Sequence, residues 1–90
     1  MNIKLKLVGI QKMERMIGGN EIVLQVEGST FGDLVNHLHK TYGGPVMECL
    51  HCQILRNGKE WIKRDNFTYP LQDGDQVTLL EMMGGGSSME

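Results

Sequence analysis

Residues 71–82 carry the strongest fold signal in the chain and read Leu-Gln-Asp-Gly-Asp-Gln-Val-Thr-Leu-Leu-Glu-Met. Two aspartates, Asp73 and Asp75, flank Gly74 near the start of this segment. Two carboxylates so close together resemble a catalytic pair, but aspartate beside glycine in a turn usually hydrogen-bonds nearby backbone N–H groups. We therefore interpret Asp73 and Asp75 as turn residues.

The strand predicted after this turn runs from Gln76 to Met82 and has two different faces. Val77 and Leu79 alternate as core residues, because successive side chains of a strand point to opposite sides of the sheet. A single helix covers only one face of a sheet, so the other face is expected to expose apolar side chains beside the glycine-rich segment of residues 84–90. This second face is the candidate docking patch for a partner, formed by Thr78, Leu80 and Met82. Scattered exposed apolar residues are also common without such a role, and that interpretation stays open.

The N-terminal part of the chain predicts two antiparallel strands. Apolar residues alternate with polar ones in residues 3–8 and again in residues 21–27, which is the pattern of half-buried strands. The predicted core positions of these strands are Ile3, Leu5, Leu7, Ile22, Leu24 and Val26. Residues 9–20 between them contain three glycines and are predicted to be a loop, with a short turn around residues 13–16.

One main helix is predicted after Gly28. Thr30 is the expected N-cap, because Asp33 three residues later completes a variant of the capping box. Apolar residues then recur on one stripe at helical spacing: Phe31, Leu34, Val35, Leu38 and Tyr42. The sequence Gly43-Gly44-Pro45 ends the helix, since glycine accepts a left-handed cap and proline cannot continue the turn.

Residues 49–62 predict a strand, a tight turn and a short return strand. The strand covers residues 49–56, Asn57-Gly58 is typical of a tight hairpin turn, and Trp61-Ile62 returns. Residues 63–70 are predicted to be irregular. The order of elements indicates an α+β roll of the ubiquitin type, with a mixed sheet of four to five strands and one main helix packed on one face.

Composition and charge restrict the protein to the class of small globular domains. The 90 residues are 40% hydrophobic and 22% charged, which suits one small core. A net charge of −2 argues against a nucleic-acid partner, and the short apolar runs argue against a membrane partner. With two cysteines and no secretion signal, we expect a cytoplasmic protein. Residues 1–83 are predicted to form the domain and residues 84–90 a flexible glycine tail.

Three short motifs resemble the ThiS/MoaD family of ubiquitin-like sulfur carriers: Asn57-Gly58-Lys59, the run from Pro70 to Val77, and Gly85-Gly86. Members of that family share the β-grasp fold and end in Gly-Gly. Counted from Val77, the family's glycine pair falls on Gly85 and Gly86, which leaves Gly84 as an extra glycine. The resemblance covers essentially the whole chain and implies a protein co-substrate rather than an enzyme.

The resemblance also implies the chemistry of the tail. An E1-like enzyme uses ATP to adenylate the C-terminal carboxylate, and a sulfur donor displaces AMP to leave a thiocarboxylate. A sulfur-accepting synthase then receives the sulfur, on a thiazole or molybdopterin precursor in the best-known branches and on an amino-acid precursor in others. In this chain the sulfur-carrying end is expected to be Gly86, with Gly85 and Gly84 giving reach. No bound cofactor is expected.

The chain departs from the family pattern after Gly86, because Ser87–Glu90 follow it. The carbonyl of Gly86 is therefore an amide, and the chain as written is predicted to be inert to adenylation. Some relatives carry a similar extension that a JAMM-type metalloprotease removes. Other relatives simply end at the glycine pair, so a JAMM-type protease is a further partner only if Ser87–Glu90 are removed.

Two other functions compete with the sulfur carrier. The first is a β-grasp module that binds a partner through its sheet and has an inert tail. The second is a small metal-binding protein that uses Cys49, His51 and Cys52. A strand over residues 49–56 argues against metal binding, because it turns Cys49 and Cys52 to opposite faces of the sheet. Cys52 then lines the core together with Leu50 and Ile54.

Overall fold

The computed structural model describes residues 1–44, 46 and 52–81. The elements are, in chain order, β1 (Asn2–Val8), α1 (Gln11–Ile17), β2 (Glu21–Gln25), α2 (Phe31–Tyr42), β3 (Gln53–Arg56), β4 (Glu60–Ile62) and β5 (Gln76–Leu80). Within the described ranges, no helix has the length and apolar character needed to cross a membrane.

The five strands form one mixed sheet in the order β2-β1-β5-β3-β4. The two central strands, β1 and β5, run parallel, while the pairs β1–β2, β3–β5 and β3–β4 are antiparallel. Helix α2 supplies the apolar stripe that joins the buried sheet residues in one core. The predicted α+β roll, with a mixed sheet and one main helix, is confirmed.

The alternation predicted for the first two strands is present in the structure. Ile3, Leu5 and Leu7 of β1 are buried, and so are Leu24 of β2 and Val26 just beyond it. Ile22 is half-buried and packs against the same core. The observed β2 ends at Gln25, two residues earlier than the predicted strand.

The prediction of a loop over residues 9–20 was wrong, because seven of these residues form helix α1. Met13 is fully buried, and Met16 and Ile17 pack against the core, so α1 presents an apolar face at helical spacing. Gly18 ends the helix in the left-handed conformation at φ 82°. The three glycines suggested a loop, although two of them lie at or beyond the end of this short helix.

Helix α2 begins and ends where the sequence predicts. The Thr30 side chain accepts a hydrogen bond from the backbone N–H of Asp33 at 3.2 Å, and the Asp33 carboxylate accepts from the backbone N–H of Thr30 at 3.1 Å. Both halves of the capping box are therefore formed. Four members of the predicted stripe are buried and Tyr42 is half-buried, so the helix faces the sheet as expected.

Residues 63–71 cross the N-terminal end of α2 as an irregular but well-bonded strap. The N–H of Phe31 donates to the carbonyl of Tyr69 at 2.8 Å, and the N–H of Gly32 donates to the carbonyl of Phe67 at 2.9 Å. Gly32 permits this approach, because a Cβ there would lie 2.7 Å from the Phe67 oxygen. The strap thus satisfies helix-terminal N–H groups that would otherwise lack partners.

The β3–β4 hairpin is shorter than predicted but has the expected turn. Asn57 and Gly58 both have positive φ, 52° and 71°, as the tight hairpin turn with Asn-Gly requires. Strand β3 starts at Gln53, and residues 49–51 of the predicted strand lie outside the described residues. Cys52 and Ile54 are buried in the core, as the strand pattern predicts.

Candidate functional site

The candidate site lies at the end of β5, the last strand that the structure describes. The N–H of Glu81, the last residue described, donates to the carbonyl of Val8 at 3.0 Å. Leu80 pairs with Val8 on one side and with Gln53 on the other. The described part of the chain therefore ends beside the ends of β1 and β5. Met82 and the predicted sulfur-carrying residues Gly84, Gly85 and Gly86 lie outside the described residues, as does Ser87–Glu90.

The two faces of β5 differ in the way that the alternation predicts. Val77 and Leu79 are 0% and 1% exposed and face α2. Leu80 lies on the opposite side and is half-buried. Thr78 shares that side but is only 7% exposed, which differs from the expectation for a docking residue.

The neighbours of Thr78 explain its burial. Lys6 of β1 and Leu55 of β3 lie directly beside it in the sheet, one on each flank. The Gln76 side chain also donates a hydrogen bond to the Thr78 hydroxyl at 3.3 Å. In this central strand, the long side chains of neighbouring strands therefore cover Thr78, even though Thr78 lies on the face of the sheet opposite α2.

Three apolar residues extend the face of Leu80 beyond the residues that the sequence singled out. Trp61 is 61% exposed, Val8 is 43% exposed, and Leu55 is half-buried. In the sheet, Trp61 pairs with Leu55, and Val8 pairs with Leu80. We call the face formed by Val8, Leu55, Trp61, Thr78 and Leu80 the open face. The alternation rule, applied to β1, β3 and β4 as well as to β5, is the signal that finds the other three members.

Positive charge borders the open face on the β1 side. Lys4 and Lys6 alternate with the buried residues of β1 and therefore lie on the open side of the sheet. Lys4 forms an exposed ion pair with Glu21 of β2 at 3.3 Å. An apolar centre with a polar, charged border is the usual composition of a protein–protein interface.

At the opposite end of β5, Asp75 has a structural role. Its carboxylate accepts hydrogen bonds from Arg56 Nε at 2.8 Å, from the Asn57 side chain at 3.1 Å and from the backbone N–H of Gln72 at 2.8 Å. Burial alone would raise the pKa of Asp75, but the hydrogen bond from Arg56, together with the other two, holds it below its usual value. Asp75 is therefore an ionised anchor between the turn and the β3–β4 hairpin.

Asp73 is also a turn residue, although its partner is far away in sequence. Its carboxylate accepts a hydrogen bond at 2.6 Å from the backbone N–H of Asn2, at the start of β1. Asp73 and Asp75 thus bind different parts of the molecule. The interpretation of the two as turn residues, rather than as a catalytic pair, agrees with this geometry.

A second polar contact continues from Asp75 along the same end of the sheet. Arg56 donates to the Glu60 carboxylate at 2.9 Å, and the Tyr69 hydroxyl donates to the same oxygen. The hydrogen bond from Tyr69, followed by the one from Arg56, lowers the pKa of Glu60. The hydrogen bond to Glu60 raises the pKa of Tyr69. This network ties the strap to the hairpin, and no local sequence pattern indicates it.

The residues that the structure describes give no support to the metal-binding alternative. No group of three or more His, Cys, Asp or Glu side chains in those ranges could hold a metal ion. Cys52 is a buried thiol in the core. Cys49 and His51 lie outside the described residues, so the proposed ligand set is not described as a whole.

Comparison with known proteins identifies relatives along the whole domain. The chain is 26% identical over 92 residues to small archaeal modifier protein 3 of Haloferax volcanii, and the similarity covers 93% of this chain and 100% of that protein. The crystal structure of SAMP1 from Haloferax volcanii superposes with a TM-score of 0.70 over 96% of this chain and 100% of the other, at 20% identity. That likeness confirms the ubiquitin-like β-grasp fold.

A further similar structure is a complex of two proteins. It contains subunits 1 and 2 of the molybdopterin-converting factor from Helicobacter pylori. The matched chain has a TM-score of 0.63 and 26% identity, covering 96% of this chain and 100% of that one. The sequence pattern of the ThiS family matches residues 11–86. The chain therefore belongs to the ThiS family, whose members are small ubiquitin-like carriers and modifiers and not themselves enzymes.

Proposed function

We propose that the protein is a sulfur carrier whose reactive end is the carboxylate of Gly86, formed when Ser87–Glu90 are removed. The family match supports this proposal, because it ends at residue 86 while the sequence continues with Ser-Ser-Met-Glu. The boundary of the match therefore coincides with the glycine pair that ends the tail in the family. It is the observation on which the proposal chiefly rests.

The chemistry requires a free carboxylate at Gly86. A JAMM-type metalloprotease would hydrolyse the Gly86–Ser87 amide bond and supply that carboxylate. The E1-like enzyme then joins the carboxylate to the AMP moiety of ATP with release of pyrophosphate, and the sulfur of a sulfide attacks the carbonyl, expels AMP and leaves a thiocarboxylate. Glycine suits this end, because without a Cβ it adopts extended conformations freely and leaves the carbonyl unhindered.

The open face is the proposed docking surface for the activating enzyme. Leu80 and Val8 lie beside the point where the chain leaves the sheet, so a partner bound there would have the tail within its reach. The burial of Thr78 makes it a minor contributor, and Trp61 and Leu55 provide more apolar surface. The family relative that occurs in a two-protein complex supports a partner enzyme for this chain as well.

The experiment compares the full chain with a chain that ends at Gly86. Each is incubated with the E1-like enzyme of its host, ATP and a sulfide source, and intact mass is measured. We expect the chain ending at Gly86 to exchange one carboxylate oxygen for sulfur and the full chain to stay unchanged. In the shortened chain, Gly86→Ala should slow the reaction strongly, because the methyl group restricts the backbone beside the carbonyl.

The control for this experiment is Ser88→Ala in the full chain, which should affect only removal of the extension. A chain ending at Gly86 that stays unmodified with every activating enzyme of its host would contradict the sulfur-carrier proposal and leave the inert binding module. Modification of the full chain without cleavage would equally contradict the role of Gly86.

A second candidate is a protein modifier, favoured by the relative named small archaeal modifier protein 3. The two functions share the adenylate of Gly86 and differ in the nucleophile, which is a lysine amine of a target protein in a modifier. A lysate of the host incubated with the shortened chain and ATP distinguishes them. Slower-migrating conjugates that resist thiols and contain this chain would favour a modifier, and a thiocarboxylate without conjugates would favour a carrier.

The receiving pathway belongs to the same proposal. The family resemblance suggests a sulfur-accepting synthase acting on a thiazole, molybdopterin or amino-acid precursor. Activation needs ATP, so we place the protein in the cytoplasm.

A further inference from the structure

The outer edge of β4 combines a groove, an exposed aromatic side chain and positive charge. Strand β4 is the last strand of the sheet on its side and pairs with β3 alone among the described strands. A groove of about 410 Å³ lies where β3 begins and β4 ends, and Cys52 and Gln53 line it on the β3 side. Trp61, Ile62 and Ile54 give it apolar walls, and Lys63, Arg64 and Asp65 line its polar end.

The charge around this edge is opposite in sign to that of the whole chain. Lys59 precedes β4, and Lys63 and Arg64 follow it. The segment from Lys59 to Asp65 thus holds three cations and two carboxylates, and one of these carboxylates, Glu60, accepts hydrogen bonds from Arg56 and Tyr69. The chain as a whole has a net charge of −2. A partner drawn to this edge by charge would therefore be acidic.

The opposite edge of the sheet provides a contrast. Strand β2 begins with Glu21 and is followed by Glu27, and its exposed apolar side chain is Val23. Glu21 forms an exposed ion pair with Lys4, so neither Glu21 nor Glu27 would attract an acidic segment, whereas Lys59 and Lys63 at β4 would. The two edges offer similar unpaired backbone but opposite charge, so charge is expected to decide which edge such a segment chooses.

A second copy of this chain is a poor occupant of the β4 edge. In an antiparallel pairing of two β4 strands centred on Trp61, Lys59 of each copy would lie opposite Lys63 of the other. Like charges across a strand pair are destabilising, and lysine at an edge is a common protection against such self-pairing. A segment with carboxylates at those positions would instead form favourable cross-strand pairs.

We propose that the outer edge of β4 binds an extended, acidic segment of a partner protein as an additional strand, with Trp61 as its apolar anchor. Backbone hydrogen bonds along β4 give affinity, the groove takes an apolar side chain, and Lys59 and Lys63 select carboxylates. Tryptophan is the side chain most often found to dominate such contacts. This site does not rest on the chemistry of the glycine tail.

The test uses the full chain labelled with ¹⁵N and two synthetic peptides, one of alternating Glu and Val and one of alternating Lys and Val. The Glu–Val peptide is expected to shift the amide resonances of residues 53–54 and 60–63 saturably, to change Trp61 fluorescence, and to bind less tightly as salt increases. Trp61→Ala and Lys63→Glu should each weaken binding about tenfold or more. Val23→Ala, the matched change at the other edge, should leave binding unchanged.

Four results would overturn the proposal. The first is the absence of saturable shifts, or shifts centred on β2. The second is equal binding of the Lys–Val peptide. The third is a dimer in sedimentation that Trp61→Ala dissociates, which would make a second copy the occupant. The fourth is a change in the resonances of residues 60–63 when Glu90→Lys is introduced without peptide, which would make the chain's own C-terminal segment the occupant.

Discussion

The two faces of the sheet are built from the same strands but differ in what covers them. On one face, Val77 and Leu79 pack under α2 with the buried residues of β1 and β3. On the open face, Leu80, Val8 and Trp61 keep part of their apolar surface in contact with solvent. Neighbouring residues of one strand therefore have different environments, because alternation directs one side chain into the core and the next to the opposite side of the sheet.

The comparison also shows that the lack of a covering helix does not by itself expose a side chain. Thr78 lies on the open face yet is buried, whereas Trp61 on the edge strand is mostly exposed. The difference comes from position across the sheet, since among the described strands β5 has neighbours on both sides and β4 has one. Docking residues of this fold are therefore to be sought toward the sheet edges and the strand ends.

The largest expected effect on the free energy of unfolding distinguishes the adjacent residues Leu79 and Leu80. Leu79→Ala should lower the free energy of unfolding by about 2–5 kcal/mol, because it leaves a cavity in the core. Leu80→Ala, on the open face, should cost about 1 kcal/mol or less. Urea denaturation followed by circular dichroism measures both. Equal losses would show that the two faces do not differ in packing as described.

Low pH should reduce the stability of the fold through three carboxyl groups: Asp33, Glu60 and Asp75. Hydrogen bonds from the backbone N–H of Ser29 and from Thr30 lower the pKa of Asp33. Hydrogen bonds from Tyr69 and Arg56 lower the pKa of Glu60. The hydrogen bonds that Asp75 accepts lower its pKa although burial alone would raise it. A carboxyl group with a lowered folded-state pKa stabilises the fold above its unfolded pKa of about 4, and this contribution is lost as pH falls through the folded pKa.

The matched variant for this acid effect is Asp75→Asn. At neutral pH it should cost about 2 kcal/mol, because the acceptor of the hydrogen bond from Arg56 loses its charge and the new NH2 group cannot accept the hydrogen bonds that the second carboxylate oxygen accepts. The variant should also lose less stability than the original chain between pH 7 and pH 3. Denaturation curves at both values test this, and an unchanged pH dependence would mean that Asp75 does not contribute to it.

A smaller effect is expected at the start of the helix that covers the sheet. Thr30→Ala removes the side chain that accepts from the N–H of Asp33 and should cost about 1 kcal/mol. Thr30→Ser keeps the hydroxyl and should cost less, which makes it the matched control. Thermal unfolding of the three chains gives the order, and equal losses for Ala and Ser would argue that the cap is not the cause.

The smallest effect on stability is expected from Leu80→Glu, which should have a large effect on activation. The new carboxylate stays in solvent in the free protein, but it would be buried without a partner in an apolar contact with the activating enzyme. We expect an unfolding free energy within about 1 kcal/mol of the original and slower adenylation of the chain ending at Gly86. Unchanged adenylation would exclude Leu80 from the docking surface.

Local sequence patterns were sufficient to predict the main helix and the strands of the sheet. The Thr30–Asp33 cap, the stripe on α2 and the period-two alternation of β1 and β5 depend on residues only a few positions apart, so a reader of the sequence finds them directly. Helix α1 was missed because it is only seven residues long and its glycine neighbours suggested a loop. Its burial of Met13 depends on the core into which it packs.

The sequence by itself determined the order of the strands and the main helix, the inward and outward sides of β5, and the family motifs that lead to Gly86. Only the tertiary structure decided which residues that are far apart in the chain contact one another. Asp73 binds the backbone of Asn2, the strap at Phe67 closes on Gly32, and Thr78 is buried between β1 and β3. Alternation and capping follow from neighbouring residues, whereas these contacts exist only when distant segments have been brought together by the core.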